Sequence, residues 1–139
     1  MTSRYVLDAC ALIAYLNDEN GAETVGNIFH QTLSERTSIV VMGIVNLLEV
    51  YYGVLRDVGA YKADEVLKEC RSLPIGIISG ISYDVFREAG RIKAYYRVSL
   101  ADSLALGLAL TTGGSLLTAD HHEFDAIEGK EPIKFVWIR

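Results

Sequence analysis

The sequence predicts an α/β fold built on a mostly parallel sheet, and three observations carry that expectation. Short β-rich runs recur five times, longer stretches with helical spacing lie between them, and 50% of the residues are hydrophobic. With 139 residues the chain can bury one core but not two, so residues 1–139 are read as a single domain with one active centre.

The elements follow in order. "RYVL" at 4–7 is the first strand, and a helix at 9–17 begins immediately after Asp8. The turn "NDENG" leads to a helix at 22–35, and "SIVVM" at 38–42 is the second strand. A helix at 44–58 has apolar residues almost all the way round, which predicts that it is largely buried. "DVGA" separates it from a helix at 61–72, and "SLP" introduces the strand "IGIIS" at 75–79. Helices at 83–97 and 101–112 come next, the latter ended by "TTGG". "SLLT" at 115–118, a short helix over "HHEFDAI", and "IKFVWI" at 133–138 complete the series. There is no internal repeat, low-complexity tract or linker.

Composition narrows the function classes. No apolar run approaches the ~18 residues of a membrane span, and a strand-like run directly after Arg4 is no secretory signal. The expectation is a soluble, cytoplasmic protein with no membrane partner. Cys10 and Cys70 lack metal-ligand spacing and read as buried or partly buried thiols. A net charge of −5 argues against a protein that coats nucleic acid through a general basic excess. If four carboxylates serve a metal, however, 14 of the 18 acidic residues remain against 13 basic ones, and the acidity becomes local.

Four acidic residues stand out. Asp8 follows "YVL" and Asp120 follows "SLLTA", both at the carboxyl ends of strands, where ligands gather in open parallel sheets. Each also reads as the N-cap of the helix after it. Asp102 stands three residues after Ser99 in "SLADSLALGLAL", the spacing of a capping box. Glu49 lies inside the buried helix, on a narrow stripe with Asn46, Gly53 and Arg56. It is either a site residue or the partner of Arg56 in an ion pair, because a buried carboxylate without a partner is costly. Together, carboxylates gathered at one sheet edge would repel one another unless a cation neutralised them. Hard oxygen donors with no Cys or His pattern select Mg²⁺ or Mn²⁺ over zinc. Such an ion promotes in-line attack on a phosphoryl group.

"VLDACALIAYL", "NLLEVYYGVLR", "VSLADSLALGLAL" and "LLTADHHEFD" resemble, in order, the four acidic motifs of PIN-domain nucleases. The match spans essentially the whole chain, and its short length is most similar to VapC-type toxins of toxin-antitoxin pairs. The resemblance implies a three-layer PIN-like fold and a Mg²⁺- or Mn²⁺-dependent endoribonuclease. It also implies metal ligation by Asp8, Glu49, Asp102 and Asp120, a homodimer, and a cognate antitoxin.

Supporting roles are open. Thr118 resembles the family's hydroxyl before the last aspartate and either holds a metal-bound water or is an ordinary strand-end threonine. Ser103 either orients Asp102 or simply occupies the first helical turn. Asn46 reaches the site or the scissile backbone, or does neither, and Asp125 is an outer-shell carboxylate or a solvated one. His121 and His122 are adjacent, point apart, and are not counted as ligands.

No aromatic-rich basic motif marks an RNA reader. Arg87, Arg91, Lys93 and Arg97 on the helix at 83–97 either follow an RNA backbone or form a solvated face relieved by Asp84 and Glu88. Tyr51, Tyr52 and Leu55 suggest a protein interface where core packing does not claim them. Three rivals stay open: an RNA-processing nuclease that is no toxin, a catalytically silent PIN-like binding module, and a receiver-type phosphoacceptor. The last would show paired acids after the first strand, where "YVLDAC" has one.

Overall fold

A computed structural model describes residues 2–139. Its centre is β1 (Ser3–Leu7), which pairs in parallel with β2 (Ser38–Gly43) on one side and β4 (Ser115–Thr118) on the other. Two short parallel strands extend the sheet, β3 (Gly76–Ile78) beyond β2 and β5 (Phe135–Trp137) beyond β4. The strand order is therefore β3-β2-β1-β4-β5. The expected α/β class with its parallel sheet is what the chain forms.

Alternation along the strands feeds two cores, one on each face. Leu7 and Leu117 join Leu12, Phe29, Met42, Val50 and Val66 in one cluster. That face is covered by α1 (Ala9–Leu16), α2 (Ala22–His30), α3 (Ile44–Asp57) and α4 (Ala60–Ser72). Val6 and Leu116, one residue earlier in each strand, point into the opposite cluster with Val85, Ile92, Leu106, Phe124 and Phe135. There α5 (Tyr83–Tyr95), α6 (Leu100–Thr112) and the single-turn α7 (His121–Phe124) pack. A period-two strand with both faces apolar requires a helical layer on each side, which gives three layers.

α5 and α6 meet closely because Gly107 lets them. A Cβ at that position would stand 3.0 Å from the Ala89 nitrogen and 3.1 Å from the Val85 carbonyl oxygen.

The boundaries differ from expectation where side chains redirect the backbone. The helix expected over 22–35 ends as α2 at His30 and continues as one π-helical turn, Gln31–Glu35. Within that turn the Thr32 hydroxyl donates to the Ile28 carbonyl at 2.8 Å, and Arg36 closes it in the left-handed region at φ 55°. The outer strands are shorter than expected. Ile75 N–H turns back to the Leu73 carbonyl (2.8 Å) and Ile133 N–H to Glu131 (2.8 Å), so neither residue enters the ladder. Cys10 is half-buried, Cys70 is buried, and both are free thiols. Among the described residues, no helix is long and apolar enough to cross a membrane.

Candidate active site

At the carboxyl edge of the central strands, β1 delivers Asp8. Its N–H donates to the Leu117 carbonyl (3.3 Å), so the β1–β4 pairing extends to the aspartate. Its Oδ1 then accepts from Ala11 N–H at 2.8 Å, capping α1. The carboxyl is only 2% exposed. Burial pushes it up to about 7; Thr118 and the Ala11 N–H act the other way, and the charges of Asp102 and Asp120 add to the rise. Capping α1 and lining the cavity thus coexist in one residue.

Asp120 arrives from β4, the neighbouring strand. Its N–H donates to the Thr118 hydroxyl (3.0 Å), and its Oδ1 accepts from Glu123 N–H (3.2 Å) as the cap of α7. Thr118 is fully buried; its hydroxyl accepts from the Asp120 N–H and lies close enough to Asp8 to oppose the rise of that carboxyl's pKa. Asp102 sits in the first turn of α6, where its N–H donates to the Ser99 hydroxyl (3.1 Å). Burial raises its carboxyl to about 7, opposed by the Ser99 hydroxyl and reinforced by Asp120, Glu49 and Glu123. Glu49, on α3, is half-buried and also raised, first by burial and then by Asp120, with Asn46 opposing.

These four carboxylates line one cavity of about 720 Å³. Each of Asp8, Glu49 and Asp102 feels at least one of the others as a repelling charge. That is the electrostatic signature of oxygens that a cation could satisfy. Among the described residues no three Asp, Glu, His or Cys side chains are gathered closely enough to enclose an ion by themselves. The donor set still fits Mg²⁺ or Mn²⁺. Mg²⁺ keeps several of its waters and is usually bound through one or two carboxylates, with no need of a closed protein cage.

The supporting residues separate on inspection. Asn46 is buried and its amide donates to the Ala101 carbonyl (3.2 Å), stitching α3 to the start of α6 and so Glu49 to Asp102. Ser103 does not orient Asp102: it is buried and its hydroxyl donates to the Leu100 carbonyl at 2.6 Å. Ser99, read only as a cap in the sequence, is the hydroxyl beside Asp102. Asp125 is exposed and bonded to His121 Nδ1 (2.9 Å), while the His121 ring stacks on Trp137 at 3.8 Å. Arg56 does not pair with Glu49; it bonds its exposed neighbour Asp57 at 2.9 Å.

The basic residues of α5 and its C-terminal extension are absent from the cavity wall. Arg91 is held by Glu131 (2.7 Å) and Glu88 (2.9 Å), and Arg87 leans over the Tyr83 ring at 6.0 Å. With Arg87 and Arg91 lining a separate hollow, the cations that do line the acidic cavity are Arg56, Lys62 and Arg139. Arg139 is anchored by the Asn20 carbonyl (2.9 Å) and Glu19 (3.2 Å), more than a hundred residues away in sequence. No local pattern could reveal that. Glu123 had a signal, its three-residue spacing from the capping Asp120.

A family model described as "PIN domain" matches residues 5–130, so the chain belongs to the PIN-domain family. Comparison with curated proteins gives no match. Among solved structures, the chain is similar to DNA-bound VapBC from Salmonella typhimurium, with a TM-score of 0.74, 17% identity and 100% of both chains covered. It is also similar to a toxin-antitoxin complex from Klebsiella pneumoniae: TM-score 0.65, 20% identity, 94% of this chain and 99% of that one. A third similar structure is VapC20 of Mycobacterium tuberculosis, a sarcin-ricin loop cleaving toxin: TM-score 0.60, 13% identity, 94% and 98% covered. At such identities the likeness is one of fold.

Proposed function

We propose that this PIN-domain protein is a Mg²⁺- or Mn²⁺-dependent endoribonuclease and the toxin of a toxin-antitoxin pair, acting as a single-domain chain. The observation that carries the reading is the convergence of Asp8, Glu49, Asp102 and Asp120 on one cavity with, among the described residues, no arginine or lysine bonded to any of them. A scaffold gains nothing from carboxylates that raise one another's pKa, whereas a site for a hard cation requires them.

In this reading the four carboxylates would hold the ion, one or two of them directly and the others through its waters. When bound, it lowers the pKa of a water and offsets charge on the phosphoryl group under in-line attack. The chain's own contribution is preorganisation. Thr118 accepts from the Asp120 N–H and steadies the charged form of Asp8, the Ala11 N–H holds one oxygen of Asp8, and Asn46 sets the spacing of α3 and α6. Thr118 and Asn46 are therefore positioning residues.

The toxin assignment is supported by the shared fold with a toxin of Mycobacterium tuberculosis and with toxin-antitoxin complexes of other bacteria. An antitoxin partner and a homodimer follow from the same reading. The exposed apolar residues Leu48, Tyr52, Leu55 and Val58 on and just after α3 suit a helical apolar face of that partner.

The test is incubation of a mixed RNA pool with Mg²⁺, with Mn²⁺ and with EDTA. Cleavage in both metals that EDTA abolishes is expected. Intact RNA in all three, or cleavage that ignores EDTA, overturns the proposal.

A further inference from the structure

The α3 wall of the cavity carries a residue that the fold itself does not explain. Gly53 lies inside the helix, one turn beyond Glu49. A helix-interior glycine costs stability relative to alanine because its backbone has more freedom to lose. It is normally kept where another part of the fold comes too close for a Cβ, as at Gly107. At Gly53 a Cβ would meet nothing within 4 Å. The open space is the cavity: Gly53 lines it together with all four carboxylates.

Two cations stand on other walls of the same cavity, Lys62 on α4 and Arg139 just after β5. Lys62 and Arg139 line this cavity, and Lys62 makes no ion pair among the described residues. An anionic chain held in this cavity by the carboxylates' ion and these cations would share it with the bare helix backbone at Gly53. Tyr52, 48% exposed on the same helix and also lining the cavity, offers a ring on which a base can stack.

We propose that Gly53 is a positioning residue for the substrate strand: it keeps α3 bare beside Glu49, so that the sugar-phosphate backbone lies directly against the helix, with Lys62 and Arg139 as phosphate contacts. This rests on the nuclease reading and extends it to the path of the strand. It moves that path away from α5, where the sequence had suggested it. Close approach of a ligand to backbone is an established use of glycine, and what sets Gly53 apart from the equally free Gly90 is that its open space is the acidic cavity.

The experiment compares wild type, Gly53→Ala, Gly53→Leu and, as control, Gly90→Ala. Gly90 is also inside a helix and also free of neighbours within 4 Å, but it lines a separate apolar hollow with Ile81, Phe86 and Leu100. Three quantities are read: melting temperature, affinity for a labelled single-stranded RNA in Ca²⁺, and KM and kcat for its cleavage in Mg²⁺. Both alanine variants are expected to melt higher than wild type. Only Gly53→Ala should bind RNA more weakly, by about three- to thirtyfold, the range one displaced contact spans. KM should rise with it while kcat changes little, and Gly53→Leu should exceed both effects. A lower melting temperature for Gly53→Ala overturns the premise that the space is free. Wild-type RNA affinity in both Gly53 variants overturns the proposal alone and leaves the nuclease reading standing. If the wild type neither binds nor cleaves RNA, the nuclease reading falls and this inference falls with it.

Discussion

Two clusters of carboxylates in this molecule are built on opposite principles. Around Glu131 the acid is satisfied: Arg91 grips both its oxygens at 2.7 and 3.0 Å, the Tyr96 hydroxyl donates to it at 2.7 Å, and these contacts hold its pKa below the usual range. Around Asp8 the acids face one another. Neutral donors from Ala11, Thr118 and Ser99 steady them, and burial and mutual repulsion still drive Asp8 and Asp102 up to about 7. The first arrangement is complete as it stands. On the proposed reading the second is completed by something positive from outside the chain, which is what would separate a site from a structural ion pair.

The sharpest way to break this comparison is Asp8→Asn. Asparagine caps a helix as well as aspartate does, so α1 keeps its start. Removing one of several repelling charges should leave the metal-free protein's melting temperature unchanged or raise it. Cleavage should fall by more than the roughly 10- to 100-fold typical of altering a residue behind a metal ligand. RNA cleavage at the wild-type rate would reduce Asp8 to a cap.

Glu49→Gln comes next. It should weaken Mg²⁺ binding and lower cleavage together, by about tenfold or more, because the lost charge comes from the same cavity. Stability should hardly move, since no cation among the described residues pairs with Glu49. Metal titration of both proteins decides this. Equal affinities would remove Glu49 from the site and leave its position on α3 without an account.

An outside cation need not be a metal. A basic side chain of an antitoxin, with an apolar helical face seated near Tyr51, Tyr52 and Leu55, could occupy the same charge vacancy beside Asp8, Glu49 and Asp102. Partner affinity should then fall severalfold when Mg²⁺ is raised at constant ionic strength. It should be insensitive to Mg²⁺ once the reaching residue is neutralised. Affinity blind to both changes would mean that the partner blocks RNA entry elsewhere.

The two clusters also differ in how far the sequence announces them. Asp8 and Asp120 sit where an apolar strand hands over to a helix, and Glu49 interrupts an apolar helix, so each breaks a local pattern and is visible one residue at a time. The element order was legible for the same reason, because periodicity is local. Glu131 breaks no pattern. Its partner Arg91 lies 40 residues away, and only the packing of α5 against the segment before β5 joins them. The choice of Ser99 over Ser103 beside Asp102 was likewise invisible, since one turn of helix decides which hydroxyl faces the cavity. Arg139 reaches the site only through the sheet edge. Long-range pairing, not residue type, is what the sequence withheld.

The smallest expected effect sharpens the comparison from the satisfied side. Glu131 is nearly buried, with its side chain 8% exposed, but Arg91 is 39% exposed, so solvent screens part of their attraction. Glu131→Gln keeps the shape and some of the hydrogen bonding and should cost about 1–2 kcal/mol, in the range of a charge-assisted hydrogen bond. Its pH dependence has a definite sign. The folded-state pKa lies below the ordinary glutamate value of 4.5, so the native state binds the proton less readily than the unfolded chain. The contribution is therefore fully present above the unfolded value and is lost as pH falls through the folded one. Denaturant melts of wild type and Glu131→Gln should differ most near neutrality and converge in acid below that range, with RNA cleavage at neutral pH untouched. A gap that stays constant down to low pH would show that packing, rather than the Arg91 charge, is what Glu131 supplies.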